Sequence, residues 1–143
     1  MPSYRKRRHQ KVYAKHTKAA KKADACQFCE IDQSYPQFVN KGQHFKIIQN
    51  IFPYDVWDGM RVSEHLLLIP TTHTENLGTL EPAAKLEFVE LISKYEVQGY
   101  DVYARSLSVV RSVPHQHTHL IKTTGKTIRG TVYLKRPYTT IIW

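Results

Sequence analysis

Residues 112–122 read SVPHQHTHLIK and set His115, His117 and His119 at every second position, in a chain with eight histidines. Imidazole titrates near neutrality, ligates metals and, when unprotonated, attacks phosphorus. On a strand, residues two apart share a face about 6.5–7 Å apart. The three rings are therefore predicted to project together, with Gln116, Thr118 and Leu120 on the other side. The spacing alone suits three uses: a nucleophile beside a proton-handling neighbour, a metal clamp, or a solvated strand face. A second reactive group is CQFC, with Cys26 and Cys29. A redox pair normally opens a helix after a strand, whereas a Lys-rich segment precedes this one. Half a zinc site is the more natural reading.

The elements that must position these residues follow from periodicity and punctuation. At 143 residues the chain is sized for one domain with a real core. Its net charge of +9 is uneven: residues 1–22 hold nine Lys or Arg and no acid, which leaves 23–143 formally neutral. Such a segment is expected to stay extended or only transiently helical through self-repulsion, so residues 1–24 read as a flexible basic arm and 25–143 as the folded domain. Strands are predicted from Phe38 onward, in HFKIIQNIF (44–52) and HLLLIP (65–70), with VWDGMRVS (56–63) as a loop between them. A helix is predicted over 81–97, with Pro82 in its first turn and Gly99 closing it. Leu86, Val89, Ile92 and Val97 follow its period, widened by Phe88 and Leu91. Residues 127–143 are rich in β-branched and aromatic types and promise one or two more strands. The order implies an α+β fold: an antiparallel sheet of about five strands with one long helix. No apolar run reaches the ~20 residues of a membrane span, and no secretory h-region follows the basic start, so the expected compartment is the cytoplasm.

From CQFC through HLLLIPTTHTENL (65–77) and the helix to SVPHQHTHLI (112–121), the sequence resembles the histidine-triad (HIT) family of nucleotide hydrolases and transferases. The resemblance covers about two-thirds of the chain. It implies that His117 attacks the α-phosphorus of a nucleotide to form a nucleotidyl-histidine that water then hydrolyses. It assigns His119 to the phosphate and the leaving group, and Ser112 to a hydrogen bond near the scissile phosphate. His65 matches a further phosphate-side position, and Phe52, with Tyr103 and Trp57, is a candidate for the nucleobase slot. In the zinc-containing branch the ligands are both cysteines, the histidine after Ile-Pro-x-x and the first triad histidine. Here these are Cys26, Cys29, His73 and His115, a closed Cys₂His₂ set of structural type, with His44 as a spare. The family also implies a homodimer.

The sequence departs from the family at several places. Gln116 and Thr118 are polar where apolar residues are usual, so that side of the strand is expected to be partly wet or against something polar. Neither Asp55 nor Asp58 falls at the spacing of the family's acidic ribose ligand. The asparagine expected before the triad is missing, and Arg111 replaces a glutamine. Two other readings stand beside the hydrolase of phosphoramidates, adenylylated amines or dinucleoside polyphosphates. One is a zinc-stapled nucleic-acid-binding protein; the other is a hydrolase that removes adenylate from nucleic-acid ends. The arm (residues 1–22) suits weak, salt-sensitive contact with nucleic acid. A transferase is less well matched, because His119 stands where such enzymes usually carry Gln.

Overall fold

The computed structural model describes residues 4–20, 25–109, 111–134 and 139–143. Its centre is an antiparallel sheet of six strands rather than five. Strands β1 (Phe38–Lys41), β2 (Phe45–Gln49), β4 (Met60–Pro70), β6 (Thr118–Thr127) and β5 (Tyr100–Ala104) lie side by side in that order, and β3 (Val56–Trp57) pairs with the start of β4. A separate hairpin is formed by β7 (Thr131–Leu134) and β8 (Thr139–Ile142).

The segment VWDGMRVS is a hairpin, not a loop. Asp58 and Gly59 both take positive φ (46° and 74°), and Val56 pairs with Arg61 across them. Asp-Gly is the pair that a tight two-residue hairpin turn favours, because its twist matches that of the flanking strands.

The unbroken apolar run of β4 serves both sheet faces, as expected of a doubly covered strand. Leu66 and Leu68 join Phe45, Ile47 and Leu120 in one core, covered by α3 (Pro82–Val97). Leu67 and Ile69 join Ile48, Phe28 and Ile31 on the opposite face, where the short helix α2 (Gln27–Glu30) lies. The inward side of α3 is Ala84, Phe88, Leu91, Ile92 and Tyr95. This face is rotated from the predicted one: Leu86, Val89 and Val97 point outward, and Val97 is 88 % exposed. Gly99 ends α3 at φ 84°.

The N-terminal segment also differs from the extended arm expected of it. Residues Arg7–Ala20 form helix α1, docked beside the second sheet face. Lys6 N–H donates to Asp55 Oδ2 at 2.6 Å, and His9 Nδ1 lies 3.0 Å from the same oxygen. Tyr13 and His16 meet the Phe52 ring at 5.6 and 4.7 Å. An acid and an aromatic residue supplied by the 50–57 loop offset the self-repulsion that composition alone foretells. Among the described residues no helix is long and apolar enough to cross a membrane.

Candidate functional site

The three histidines are not one row on a strand. Strand β6 begins at Thr118, so His115 and His117 precede it on irregular backbone and only His119 belongs to the sheet. The rings consequently divide between two sites. Gln116 and Thr118 are 3 % and 1 % exposed, so that side of the segment is buried rather than wet.

His117 and His119 stand 5.2 Å apart, ring to ring, in the wall of a cavity of about 610 Å³ on the second sheet face. Ser112 lines the same cavity, with Phe52, Phe28 and Ile31. Nδ1 of His117 lies 2.8 Å from the carbonyl oxygen of His115. A carbonyl can only accept, so Nδ1 carries the proton. Burial holds the ring below its usual pKa against that same bond, helped by the nearby charges of Arg111 and Arg105. A neutral ring protonated on Nδ1 leaves the Nε2 lone pair for chemistry.

His119 receives its tautomer from a buried relay. On β4 and β6, Leu67 is the direct partner of His119, and His65 is two residues away on the same face. That diagonal lets the two rings meet, with His65 Nε2 and His119 Nδ1 2.8 Å apart. His65 is fully buried, and desolvation followed by the Arg5 charge pulls its pKa down to about 3. It is neutral at ordinary pH. Tyr54 N–H donates to its Nδ1 at 3.1 Å, so Nε2 bears the hydrogen and donates to His119. Burial likewise keeps His119 neutral, well below the usual imidazole pKa. Its proton therefore sits on Nε2, the nitrogen not held by His65. One member of the pair can attack and the other can donate.

The remaining ring, His115, turns to the thiols. The ligand atoms of Cys26, Cys29, His73 and His115 all lie within 4.8 Å of one another. His115 Nδ1 is 3.4 and 3.5 Å from the two sulfurs, and His73 Nδ1 is 3.3 Å from Cys29 Sγ. These separations match the edges of a tetrahedron with metal–sulfur bonds of about 2.3 Å and metal–nitrogen bonds of about 2.0 Å, which are roughly 3.3–3.8 Å. His115 Nε2 donates to the carbonyl of Pro70 at 3.0 Å, which fixes Nδ1 as the ligating nitrogen. The group can hold a metal ion. His44 lies elsewhere, 3.2 Å from Glu81.

Several assignments made from sequence fall differently in space. His65 does not line the main cavity; it touches His119 from behind. Trp57 stacks on Tyr54 at 5.9 Å and packs against Tyr103 at 5.3 Å, outside the cavity wall, whereas Phe52 is in it. Arg5, Tyr13, His16, Asn50 and Arg105 line the cavity and were missed. One signal was available: Gln10, Tyr13, His16 and Thr17 share one face at helical spacing. Only tertiary structure could place Arg5.

No family model matches the sequence, and no curated protein is similar to it. Solved structures are. A HIT family hydrolase from Legionella pneumophila aligns at 21 % identity over 72 % of this chain and 95 % of its own, with a TM-score of 0.52. A HIT family protein from Bacillus anthracis aligns at 24 % identity over 82 % and 88 %, TM-score 0.54. A hypothetical histidine triad nucleotide-binding protein from Sulfolobus tokodaii aligns at 23 % identity over 71 % and 70 %, TM-score 0.53. The shared feature is the fold, the histidine-triad sheet and its long helix.

Proposed function

We propose, from the histidine-triad fold and the tautomers of its paired imidazoles, that this chain is a nucleotide hydrolase acting at an α-phosphorus through a nucleotidyl-histidine. The observation that carries the reading is the free Nε2 lone pair of His117, set in a cavity beside a second neutral imidazole that presents N–H. In-line displacement at phosphorus needs an aligned lone pair and donors around the phosphoryl oxygens. His117 Nε2 forms the bond to phosphorus while the bond to the leaving group breaks and its electron pair departs with that group. His119 Nε2–H donates to the phosphate or the departing atom, and Ser112 supplies a further hydroxyl. Water then displaces His117 and restores the neutral ring. Phe28, Ile31 and Phe52 offer the apolar and aromatic surface a nucleobase needs.

Incubation with a nucleoside phosphoramidate or dinucleoside polyphosphate, quenched in acid, is expected to give a mass adduct of one nucleotide at His117. His117→Ala and His117→Asn are expected to lose the adduct and at least about 10³-fold in turnover with the fold intact. Turnover unchanged in both variants ends the reading.

Zinc is the ion that two thiols and two imidazoles at tetrahedral separations suit best. Its role is structural: it ties α2 to the segment that carries His117. Outward-facing Leu86 and Val89 on α3 support the homodimer that the family implies. A second reading, contact with nucleic acid, has its own support. The solvent face of α1 carries Arg8, Lys11, Lys15 and Lys18, all exposed and close to the cavity wall that the same helix forms.

A further inference from the structure

Arg5 is the least expected group at the site. It precedes α1, and its Nε donates to the carbonyl of Phe52 at 2.9 Å. Its guanidinium carbon lies 4.2 Å from the centre of the Tyr13 ring and 4.5 Å from that of Tyr54, between the two aromatics. Cation–π contact covers the faces of a guanidinium and leaves its edges available. One edge is used by Phe52; the terminal nitrogens make no hydrogen bond to the described residues, and Arg5 lines the cavity.

The position along the cavity is informative. Tyr54, under Arg5, stacks on His119 at 5.9 Å. The Arg5 charge bears on both His65 and His119, and the Arg105 charge on both His117 and His119. Through Tyr54, Arg5 is thus tied to the His119 side of the cavity. Arg105 lines the same cavity, and Glu30 is the one carboxylate among the described residues of its wall.

We propose that Arg5 forms an anion subsite for the leaving group, so that the favoured substrates are nucleotides whose α-phosphate is joined to a further phosphate rather than to an amine. The assignment rests on His117 as nucleophile. When the P–O bond to such a leaving group breaks, the electron pair stays on a phosphate oxygen, and a fixed guanidinium stabilises that charge. An amine leaving group departs only once its nitrogen has gained a proton, and the positive charge so developed would meet the Arg5 guanidinium instead. The N-terminal segment, held by the Asp55 contacts, thereby becomes part of the reaction cavity.

The test uses the full chain and two substrates that share a nucleoside: a dinucleoside triphosphate and a nucleoside 5′-phosphoramidate with an alkylamine leaving group. Arg5→Gln keeps an N–H for the Phe52 carbonyl and removes the charge. It is expected to lower kcat/KM on the triphosphate about 10–100-fold, short of the range of an arginine finger, and on the phosphoramidate less than about 3-fold. Equal losses on both, or none on the triphosphate, overturn the proposal. Binding of inorganic tripolyphosphate, followed by calorimetry, separates this from the hydrolase reading. If neither substrate turns over yet Arg5→Gln weakens tripolyphosphate at least about tenfold, the hydrolase reading falls and the anion subsite stands. Unchanged tripolyphosphate affinity overturns the subsite.

Discussion

At the scale of single residues, the site depends on which ring nitrogen carries each proton, and backbone groups decide that. The His115 carbonyl sets His117, and the Tyr54 N–H sets His65 and through it His119. His65 is accordingly a positioning residue. Gln in its place keeps an acceptor for Tyr54 and a donor for His119 but does not titrate. His65→Gln is expected to retain most activity, whereas His65→Leu lowers kcat up to about 100-fold, the low end of what a general acid contributes, with KM little changed. The same ring affects stability. Its folded pKa near 3 lies below the ordinary 6.5, so the unfolded chain takes up the proton first as pH falls. Stability is then lost between about pH 6.5 and 3, with a slope of about 1.4 kcal/mol per pH unit from this ring. Denaturant unfolding between about pH 5.5 and 4 should be flatter by that amount in His65→Gln than in wild type; equal slopes contradict it.

At the scale of elements, the cluster of Cys26, Cys29, His73 and His115 joins three short segments of the chain. Helix α2 is four residues long, His73 follows β4, and His115 leads into β6. A bound ion would close these three segments on one point, two residues from His117. Removing it with a strong chelator is expected to lower the melting temperature and turnover together. At ion concentrations about 1,000-fold above Kd, binding contributes about 4 kcal/mol to stability. Cys26→Ser should show substoichiometric zinc by elemental analysis and a melting temperature that chelator no longer shifts. A wild type indifferent to chelation speaks against a structural metal. On the other sheet face, α3 needs no such device, because Phe88, Leu91 and Ile92 pack on the core of Phe45, Leu66 and Leu68.

At the scale of the whole molecule, a formally neutral remainder is joined to a basic N-terminal segment, five of whose nine cations lie on α1. The inner side of α1 meets Phe52 and Asp55, and its outer side carries exposed lysines and arginines. The two sides predict separable effects. Replacing Arg8, Lys11, Lys15 and Lys18 with Ala is expected to leave hydrolysis of a small substrate unchanged. The log–log salt slope of single-stranded nucleic-acid binding should fall by about 0.7 for each phosphate no longer neutralised, near 3 in total. An unchanged slope removes nucleic acid as a partner of this face. Deleting the helix is a poorer experiment, since it also takes Tyr13 and His16 from the cavity.

Sequence determined which chemical groups the protein owns and the periods on which most of them sit. The two-faced apolar run of β4, the extent of α3 and the Gly99 stop are local matters of alternation, helical spacing and backbone freedom, and they were legible. The resemblance to the histidine-triad family pointed to Cys26, Cys29, His73 and His115, which do cluster. Where sequence reading failed, the deciding partner was distant along the chain. Asp55 and Phe52 turn a self-repelling segment into a docked helix; β4 places His65 behind His119; and β6 starts too late to hold all three histidines in one row. Local pattern fixes a conformation only where no remote contact outweighs it. In this protein the tautomer of His119 and the position of Arg5 come from such contacts.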